Sequence, residues 1–465
     1  MHHTFSNVIL RKYDVRGIYG KDLFDEDAYF FGLTFATYIL THKVNSLKQA
    51  VVIGNDGRIS SPLLKKELIR GLIDGGIDVF DVGTAHTPKI EFAAKHLKIV
   101  ASVAVTASHN AKEYNGFKFD FNGKAFFDED ILLLGKIAEN CEKSTKQGEY
   151  TKINIDDEYL HCLVEGFNIN KNLKVCFDCG NGATGEILQK VVKRLELNAK
   201  ILFADIDGNF PNHHPDPSVE KNMQILAREV VAGNYDIGIG FDGDGDRIGV
   251  VDDKGRLLYG DELLLFIAEH ELKMHPKSYI VSEVKTSKIL HDGVKKAGGI
   301  SIMSKIGNPY IKNKVDEFKA IVGGETSGHF SFYGKEEFDG DAIYCCLKVL
   351  EILSNSNEKL SSFKDNLPKV FATHNTNFPI DEGNKFKIIE RIAQNLRNED
   401  REFIDIDGIR IGNERGWWMI RASNTTSFLT AKCEADTEEE FIKQKEDLAN
   451  CLLNAGYTGN IEFDN

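Results

Sequence analysis

Val51-Val52-Ile53 runs into Gly54-Asn55-Asp56-Gly57-Arg58, and Ser61-Pro62 follows as an N-cap with a proline in the first helical position. Leu64, Leu68 and Leu72 then recur on one helical face, Gly75-Gly76 closes the helix, and 77–82 reads as the next strand. Strand, glycine-bearing loop, helix, strand is the repeating unit of an α/β fold. The arrangement returns at Val175-Cys176-Phe177, ahead of Asp178-Cys179-Gly180-Asn181-Gly182, with Ile187, Val191 and Leu195 at helical spacing and a strand over 200–204. A third passage places the apolar run 237–241 before Asp242-Gly243-Asp244-Gly245-Asp246. Three such passages predict related α/β units.

The alternation continues from Asp261: helix to about Leu272, strand 279–284, helix 287–297, strand 301–306, a helix after Pro309 and a strand 320–322. After Ser354 the texture changes. The polar stretch 354–365 reads as a linker and a hinge, and beyond it come a strand, a helix over 385–396, two strands around 408–420, a further strand and a closing helix over 437–453. That is an α+β pattern with antiparallel pairing. At roughly 100–200 residues per domain, a chain of 465 residues divides into 1–150, 151–253, 254–365 and 366–465.

Apolar residues make up 42% and charged residues 28%, with 9 Pro against 41 Gly, which excludes a fibrous or disordered chain. The net charge of −14 argues against nucleic acid or an anionic membrane as partner and requires any anionic substrate to meet a locally basic site. No apolar run approaches the ~20 residues of a membrane span, and the first residues lack a basic segment followed by an apolar one, so a cytoplasmic enzyme is expected. Eight Cys are too sparse for a disulfide scaffold, and Cys176/Cys179 form a lone pair. The oligomeric state is not written in the chain.

Four segments carry chemistry. In Thr106-Ala107-Ser108-His109-Asn110, after an apolar run, Ser108 is placed to project into a cleft as a nucleophile, although the same residues also suit a plain strand-capping turn. His109 is not assignable as its base from adjacency, since neighbours on an extended chain point apart. Lys118 follows in Tyr114-Asn115-Gly116-Phe117-Lys118. Asp242, Asp244 and Asp246, alternating with glycines and followed by Arg247, offer hard oxygen donors suited to Mg²⁺, Mn²⁺ or Ca²⁺. The spacing Gly238-x-Gly240-x-x-Gly243 matches a dinucleotide fingerprint, but three carboxylates would repel a pyrophosphate and 248–251 favours strand over helix. An EF-hand fails because Arg247 stands where glycine is needed, and there is no Walker A sequence. Glu325, Thr326, Ser327 and His329 around Gly328 suit polyol recognition or a plain turn. Arg421 with Ser423, Asn424, Thr425, Thr426 and Ser427 makes a phosphate cradle or a polar loop. Tyr13-Asp14-Val15-Arg16-Gly17 adds Arg16 as an anion contact or an ion-pair partner.

Taken in this order, the segments resemble the α-D-phosphohexomutase superfamily, in its phosphomannomutase/phosphoglucomutase branch. The resemblance implies three related α/β domains and a C-terminal α+β domain like the TATA-binding-protein fold, around a central cleft. It implies that Ser108 bears the transferable phosphoryl group and that Mg²⁺ is held by Asp242, Asp244 and Asp246 with phospho-Ser108. Glu325, Ser327 and His329 become the sugar loop, and Arg421, Ser423, Asn424 and Thr425 the phosphate clamp. Tyr13, Arg16, His109, Lys118, Arg247 and Lys285 match positions lining the family's cleft, and Asn308 stands where relatives often place His in a substrate-contacting loop. Ala111 and Ser427 replace prolines common in the family. The implied activity interconverts hexose 6-phosphate and hexose 1-phosphate of mannose and/or glucose through a hexose 1,6-bisphosphate. Cations converging from Arg16, Lys118, Arg247, Lys285 and Arg421 would balance that anion. Glucosamine phosphate is the alternative substrate, and a metal-dependent sugar phosphatase the alternative activity.

Overall fold

The computed structural model describes residues 1–356, 358–381, 383–423 and 427–464. In the first sheet, Lys48–Asn55 pairs in parallel with Asp78–Thr84 and Ile99–Val105, and Ile99–Val105 pairs antiparallel with Tyr114–Phe121. In the second, Lys174–Asp178 pairs in parallel with Asn198–Leu202 and Ile237–Phe241, and the latter antiparallel with Ile248–Asp252. In the third, Tyr279–Glu283 lies parallel to Ile300–Ser304 and Val322–Gly324, and Val322–Gly324 antiparallel to Phe330–Phe332. One four-strand order thus occurs three times. Its first crossover helices are Ser61–Asp74, Gly185–Leu195 and Lys288–Lys296; its second are Thr87–His96, Glu220–Gly233 and Asn308–Phe318.

This pattern corrects the reading of three strand-and-Asp-Gly passages as three units. The strands after which 178–182 and 242–246 follow are neighbours in one sheet, and the third unit is built on Tyr279–Glu283, which ends in Glu283-Val284-Lys285 without a glycine. The consequence for function is direct. The loops 106–113, 242–247 and 325–329 are the same connection in each unit, joining the third parallel strand to the antiparallel one. All three leave the carboxyl ends of parallel strands, where open α/β sheets bind ligands.

The three units share a continuous apolar core into which the helix Ala342–Asn355 sinks Ile343, Cys346, Leu347 and Leu350. Polar ties cross the same junction: His86 Nε2 lies 2.9 Å from the Tyr159 hydroxyl, which donates to Asp341 Oδ2 at 2.5 Å. The C-terminal unit is an antiparallel sheet covered by helices Lys385–Asn398 and Glu438–Asn454, with a separate core around Phe378, Ile392, Trp418 and Leu448. Its apolar contact with the third unit centres on Val284, Trp417 and Met419, with Met303, Ile306 and Ile404 packed against them.

Two local expectations fail. The supposed linker 354–365 runs into the helix Leu360–Asn366, which buries Leu360 and sets Phe363 on Phe266. Asp365 accepts from Lys254 and Arg256 of the hairpin joining Ile248–Asp252 to Leu257–Leu258, both at 2.6 Å, and Lys364 pairs with Glu262 of the helix Gly260–Met274 at 2.6 Å, so the segment is docked on the second and third units and is not a hinge. Leu360, Phe363 and Leu367 form an apolar stripe that the polar background conceals. Ser61 is not an N-cap. The cap position is Ser60, and Ser61 Oγ instead donates to Asp56 Oδ1 at 2.6 Å. Among the described residues no helix is long and apolar enough to cross a membrane.

Candidate active site

The apolar strand Ile99–Val105 delivers the chain to Ser108, which adopts φ 50°. A left-handed serine is disfavoured, and local bonds hold it: Ser108 N donates to Thr106 Oγ1 at 2.9 Å and Asn110 N to the Ala107 carbonyl at 3.0 Å. Because the backbone turns here, Ser108 Oγ and His109 Nδ1 lie 3.2 Å apart. The expectation that these neighbours point apart holds for extended chain, and this is not extended chain. Burial, with Arg247 and Arg16 nearby, drives the His109 pKa well below its ordinary value, so the ring is neutral.

Asp242, Asp244 and Asp246 are buried and present carboxylate oxygens within 4.8 Å of one another. The loop curls because Asp242 Oδ1 accepts from the backbone N–H groups of Asp246 and Arg247 at 3.0 and 3.1 Å. Glycine is required at Gly243, where a Cβ would lie 2.7 Å from the Ser108 carbonyl oxygen, and at Gly245, whose φ is +71°. Asp244 Oδ2 accepts from Thr87 Oγ1 at 2.6 Å and from Lys118 Nζ at 2.7 Å, and Lys118 also reaches Asp246 Oδ2 at 2.5 Å. Burial opposes charge on Lys118, but Asp244, Asp246 and Asp242 outweigh it and raise its pKa. Burial together with Asp246 and Asp244 pushes Asp242 well up, toward the protonated form. Asp244 Oδ1 and Asp246 Oδ1 are buried without a hydrogen-bond partner. Unpartnered oxygens in an all-carboxylate set fit a hard divalent cation.

The loop 325–329 faces these two. Glu325 Oε1 accepts from Gly307 N at 2.9 Å, and Ser327 Oγ lies 3.4 Å from Glu325 Oε2. Burial and the neighbouring Glu283 raise the Glu325 pKa to about 7 against the pull of Arg247 and Lys285. His329 Nδ1 sits 3.8 Å from Asp246 Oδ2, in surroundings whose burial lowers its pKa. Asn308 Oδ1 is 3.4 Å from Ser331 Oγ. These walls enclose a cleft of about 420 Å³ to which Tyr13, Arg16, Ser108 and Lys118 contribute from the first unit. Asp246 and Arg247 come from the second, and Lys285, Asn308, Glu325, Ser327 and His329 from the third.

Four family models tile this chain: phosphoglucomutase/phosphomannomutase alpha/beta/alpha domains I, II and III over residues 7–147, 157–255 and 259–371, and the C-terminal domain over 376–450. A phosphomannomutase/phosphoglucomutase of Pseudomonas putida is 36% identical over 447 residues, covering 96% of this chain and 95% of its own. The chain belongs to the phosphoglucomutase/phosphomannomutase family. A phosphoglucomutase of Neisseria gonorrhoeae is 38% identical over 436 residues, covering 92% of this chain and 93% of its own. The crystal structure of a phosphoglucomutase/phosphomannomutase family protein from Burkholderia thailandensis superposes with a TM-score of 0.89 at 32% identity, covering 98% of this chain and 100% of that one.

In this phosphoglucomutase/phosphomannomutase family member Arg421 meets the cleft less directly than the residues of the other three loops. Arg421, next to last in the strand Gly416–Ala422, does not line the cleft and has its Nε 3.5 Å from Asp407 Oδ1. The other oxygen of Asp407 accepts from Ile306 N at 3.1 Å, while the Ile306 carbonyl accepts from the Tyr13 hydroxyl at 2.7 Å. Ser423 is buried and its N–H donates to the Phe428 carbonyl at 2.9 Å; Asn424 and Thr425 lie outside the described residues. Arg16 is paired with Asp14 and donates to Asn110 Oδ1 at 2.5 Å.

Several residues of this family member are missing from the sequence reading. Glu283, buried, accepts from Thr326 N and Oγ1 at 2.8 and 2.6 Å and shapes the 325–329 loop. Thr87 grips Asp244 through both its hydroxyl and its N–H. Asp407 engages Arg421. None stands in a distinctive motif. Glu283 is foreshadowed only by its place beside Lys285 at the end of an apolar run.

Proposed function

We propose that the chain is a phosphohexomutase that interconverts the 6- and 1-phosphates of mannose and/or glucose by way of phosphorylated Ser108 and a hexose 1,6-bisphosphate. The observation that carries this is the placement of Ser108 Oγ 2.9 Å from Asp242, within a carboxylate set suited to Mg²⁺ and inside a cleft walled by cations. Mg²⁺, when bound there, neutralises charge on the phosphoryl group in transfer. The remaining chemistry belongs to side chains. Lys118, held protonated by Asp244 and Asp246, is a charge-neutralising group. His109, neutral and next to Ser108 Oγ, is the better acceptor for the sugar hydroxyl's proton as the phosphoryl group leaves Ser108. Arg247 balances the transferring group, and Glu325, Ser327 and His329 hold ring hydroxyls, with Asn308 and Tyr13 beside them. Lys285 and Arg16 face the cleft as anion contacts. The phosphate at the other end of the sugar goes to Arg421, Ser423, Asn424 and Thr425, with Arg421 exchanging its Asp407 contact for the ligand. Domain divisions near 150, 253 and 365 go with this reading.

The test is a coupled assay over mannose, glucose and glucosamine 1-phosphates with a trace of the matching 1,6-bisphosphate, run beside inorganic phosphate release and intact mass. Isomer formation from the mannose or glucose ester, with an adduct of about 80 Da for one phosphoryl group, is expected. Phosphate release outrunning isomer formation, or preference for the glucosamine ester, overturns it.

A further inference from the structure

Beneath the nucleophile loop lies a guanidinium that no motif singles out. Arg58 is 1% exposed. A buried arginine is tolerated only when its charge is paired and its donors are met. Guanidinium has five N–H donors in a rigid planar fork, and each has an acceptor. Nη2 donates to the carbonyls of Ser108 and Asn110, both at 2.7 Å. Nη1 donates to those of Ala111 at 2.7 Å and Tyr114 at 3.0 Å, and Nε to Asp56 Oδ2 at 3.0 Å.

Asp56 reaches the same loop by a second route. Its Oδ2 accepts from Thr106 Oγ1 at 2.7 Å, and Thr106 Oγ1 in turn accepts from Ser108 N at 2.9 Å. Its Oδ1 is fixed by Ser61 Oγ and by Arg58 N, at 2.6 and 3.0 Å. The second unit seals the assembly, with the Phe210 ring 5.4 Å from the Arg58 guanidinium and Ile206 so close to Gly57 that a Cβ there would lie 2.2 Å away.

We propose that Arg58, oriented by Asp56, is the positioning residue of the nucleophile loop. It gathers four consecutive-turn carbonyls onto one cation, which holds Ser108 in its left-handed conformation with Oγ toward Asp242. It also turns four partially negative oxygens away from the space that an anionic phosphoryl group occupies. Neither residue contacts the sugar phosphate. The inference rests on the mutase reading of the site, because a precisely held serine matters only if that serine carries the transferred group. Displacing a reacting atom by an ångström costs about 10² in rate, and a lysine ammonium, a point donor, does not span four carbonyls.

The experiment uses the full-length, phosphorylated enzyme and two variants, Arg58→Lys and the milder Asp56→Asn. For Arg58→Lys, kcat and single-turnover phosphoryl transfer from Ser108 to hexose 1-phosphate fall together by about 10², with KM within about threefold of wild type. Asp56→Asn shows the same split at about a tenfold loss. Amide exchange accelerates over 106–114 in both while the remaining sheets keep their protection. A folded Arg58→Lys protein with wild-type kcat overturns the proposal. So does a KM that rises as far as kcat falls, and so does failure of both variants to fold, which makes the role purely structural. If wild type itself shows neither phosphoserine nor turnover, the mutase reading fails, and unchanged exchange over 106–114 in Arg58→Lys would still refute the clamp.

Discussion

Ser108 Oγ donates to Asp242 Oδ2 at 2.9 Å, a contact between residues 134 positions apart. Each sits in the hairpin that leaves the third parallel strand of its own sheet. Esterifying Ser108 removes the donated proton and sets roughly two negative charges beside a carboxylate that burial, Asp246 and Asp244 already push toward protonation. A cation between the two relieves that repulsion, which ties the phosphorylation state of one loop to the occupancy of the other.

Ser108→Ala removes the hydroxyl proposed to carry the phosphoryl group. Turnover falls by at least about 10³, and no adduct appears in intact mass after priming with bisphosphate. Calorimetric binding of hexose 1-phosphate stays within about threefold of wild type, since the cleft's cations and the 325–329 loop are untouched. Retention of most activity would sink the phosphoserine scheme.

Adding Mg²⁺ at about a hundred times its Kd stabilises the wild-type protein by roughly 2.7 kcal/mol, read as a rise in melting temperature that EDTA reverses. Asp244→Asn keeps the shape of a fully buried side chain but removes one carboxylate of the proposed Mg²⁺ site. The Mg²⁺-dependent rise disappears in that variant, and turnover drops by about 10² to 10³. An unchanged rise would show that the carboxylate triad is not where the ion binds.

Glu325, with a pKa raised to about 7 by burial and Glu283, makes stability depend on pH. Between its ordinary 4.5 and about 7 the folded protein keeps a proton that the unfolded chain has released. The stabilisation is therefore complete below pH 4.5 and is lost as pH rises through 7. Glu325→Gln removes this loss, so its stability relative to wild type grows from pH 5 to pH 8 by at most about 3 kcal/mol. Parallel melting curves across that range would refute the assignment.

Arg410 anchors the C-terminal unit. It is buried, its Nη1 donates to the carbonyls of Val284 and, at 2.9 Å, Thr286, and its guanidinium stacks 3.6 Å from the Trp417 ring centre. Arg410→Met leaves two carbonyls unmet and loosens the docking by about 2–3 kcal/mol. Expected readouts are faster proteolysis within 367–370 and a KM for hexose phosphate that rises more than kcat falls. Equal proteolysis of both proteins would show that the unit stays docked without Arg410.

The three aspartates and Ser108 are legible in the linear chain because their chemistry is encoded in close spacing: hard oxygens alternating with glycines, and a serine after an apolar strand. Arg58 is equally visible in Asp56-Gly57-Arg58, yet nothing local says that its fork will meet carbonyls some fifty residues later. His109 shows the opposite failure. The rule for extended chain places it away from Ser108, and a left-handed serine puts it alongside. The helix Leu360–Asn366 was hidden by its composition, since its apolar stripe is set in a polar background and its partners Asp253, Lys254, Arg256 and Glu262 lie about a hundred positions earlier in the chain.

Periodicity and short-range spacing are properties of adjacent residues, and from them the chain declares its α/β alternation, its antiparallel C-terminal unit, its hard-oxygen triad and a serine at the end of an apolar strand. Which loops meet, that Ser108 faces Asp242, that Lys118 sits between two aspartates, and that Arg421 waits on Asp407 outside the cleft were settled by folding. Contacts between residues a hundred positions apart follow from how sheets stack and which strand ends share an edge, and a linear pattern holds no record of that packing.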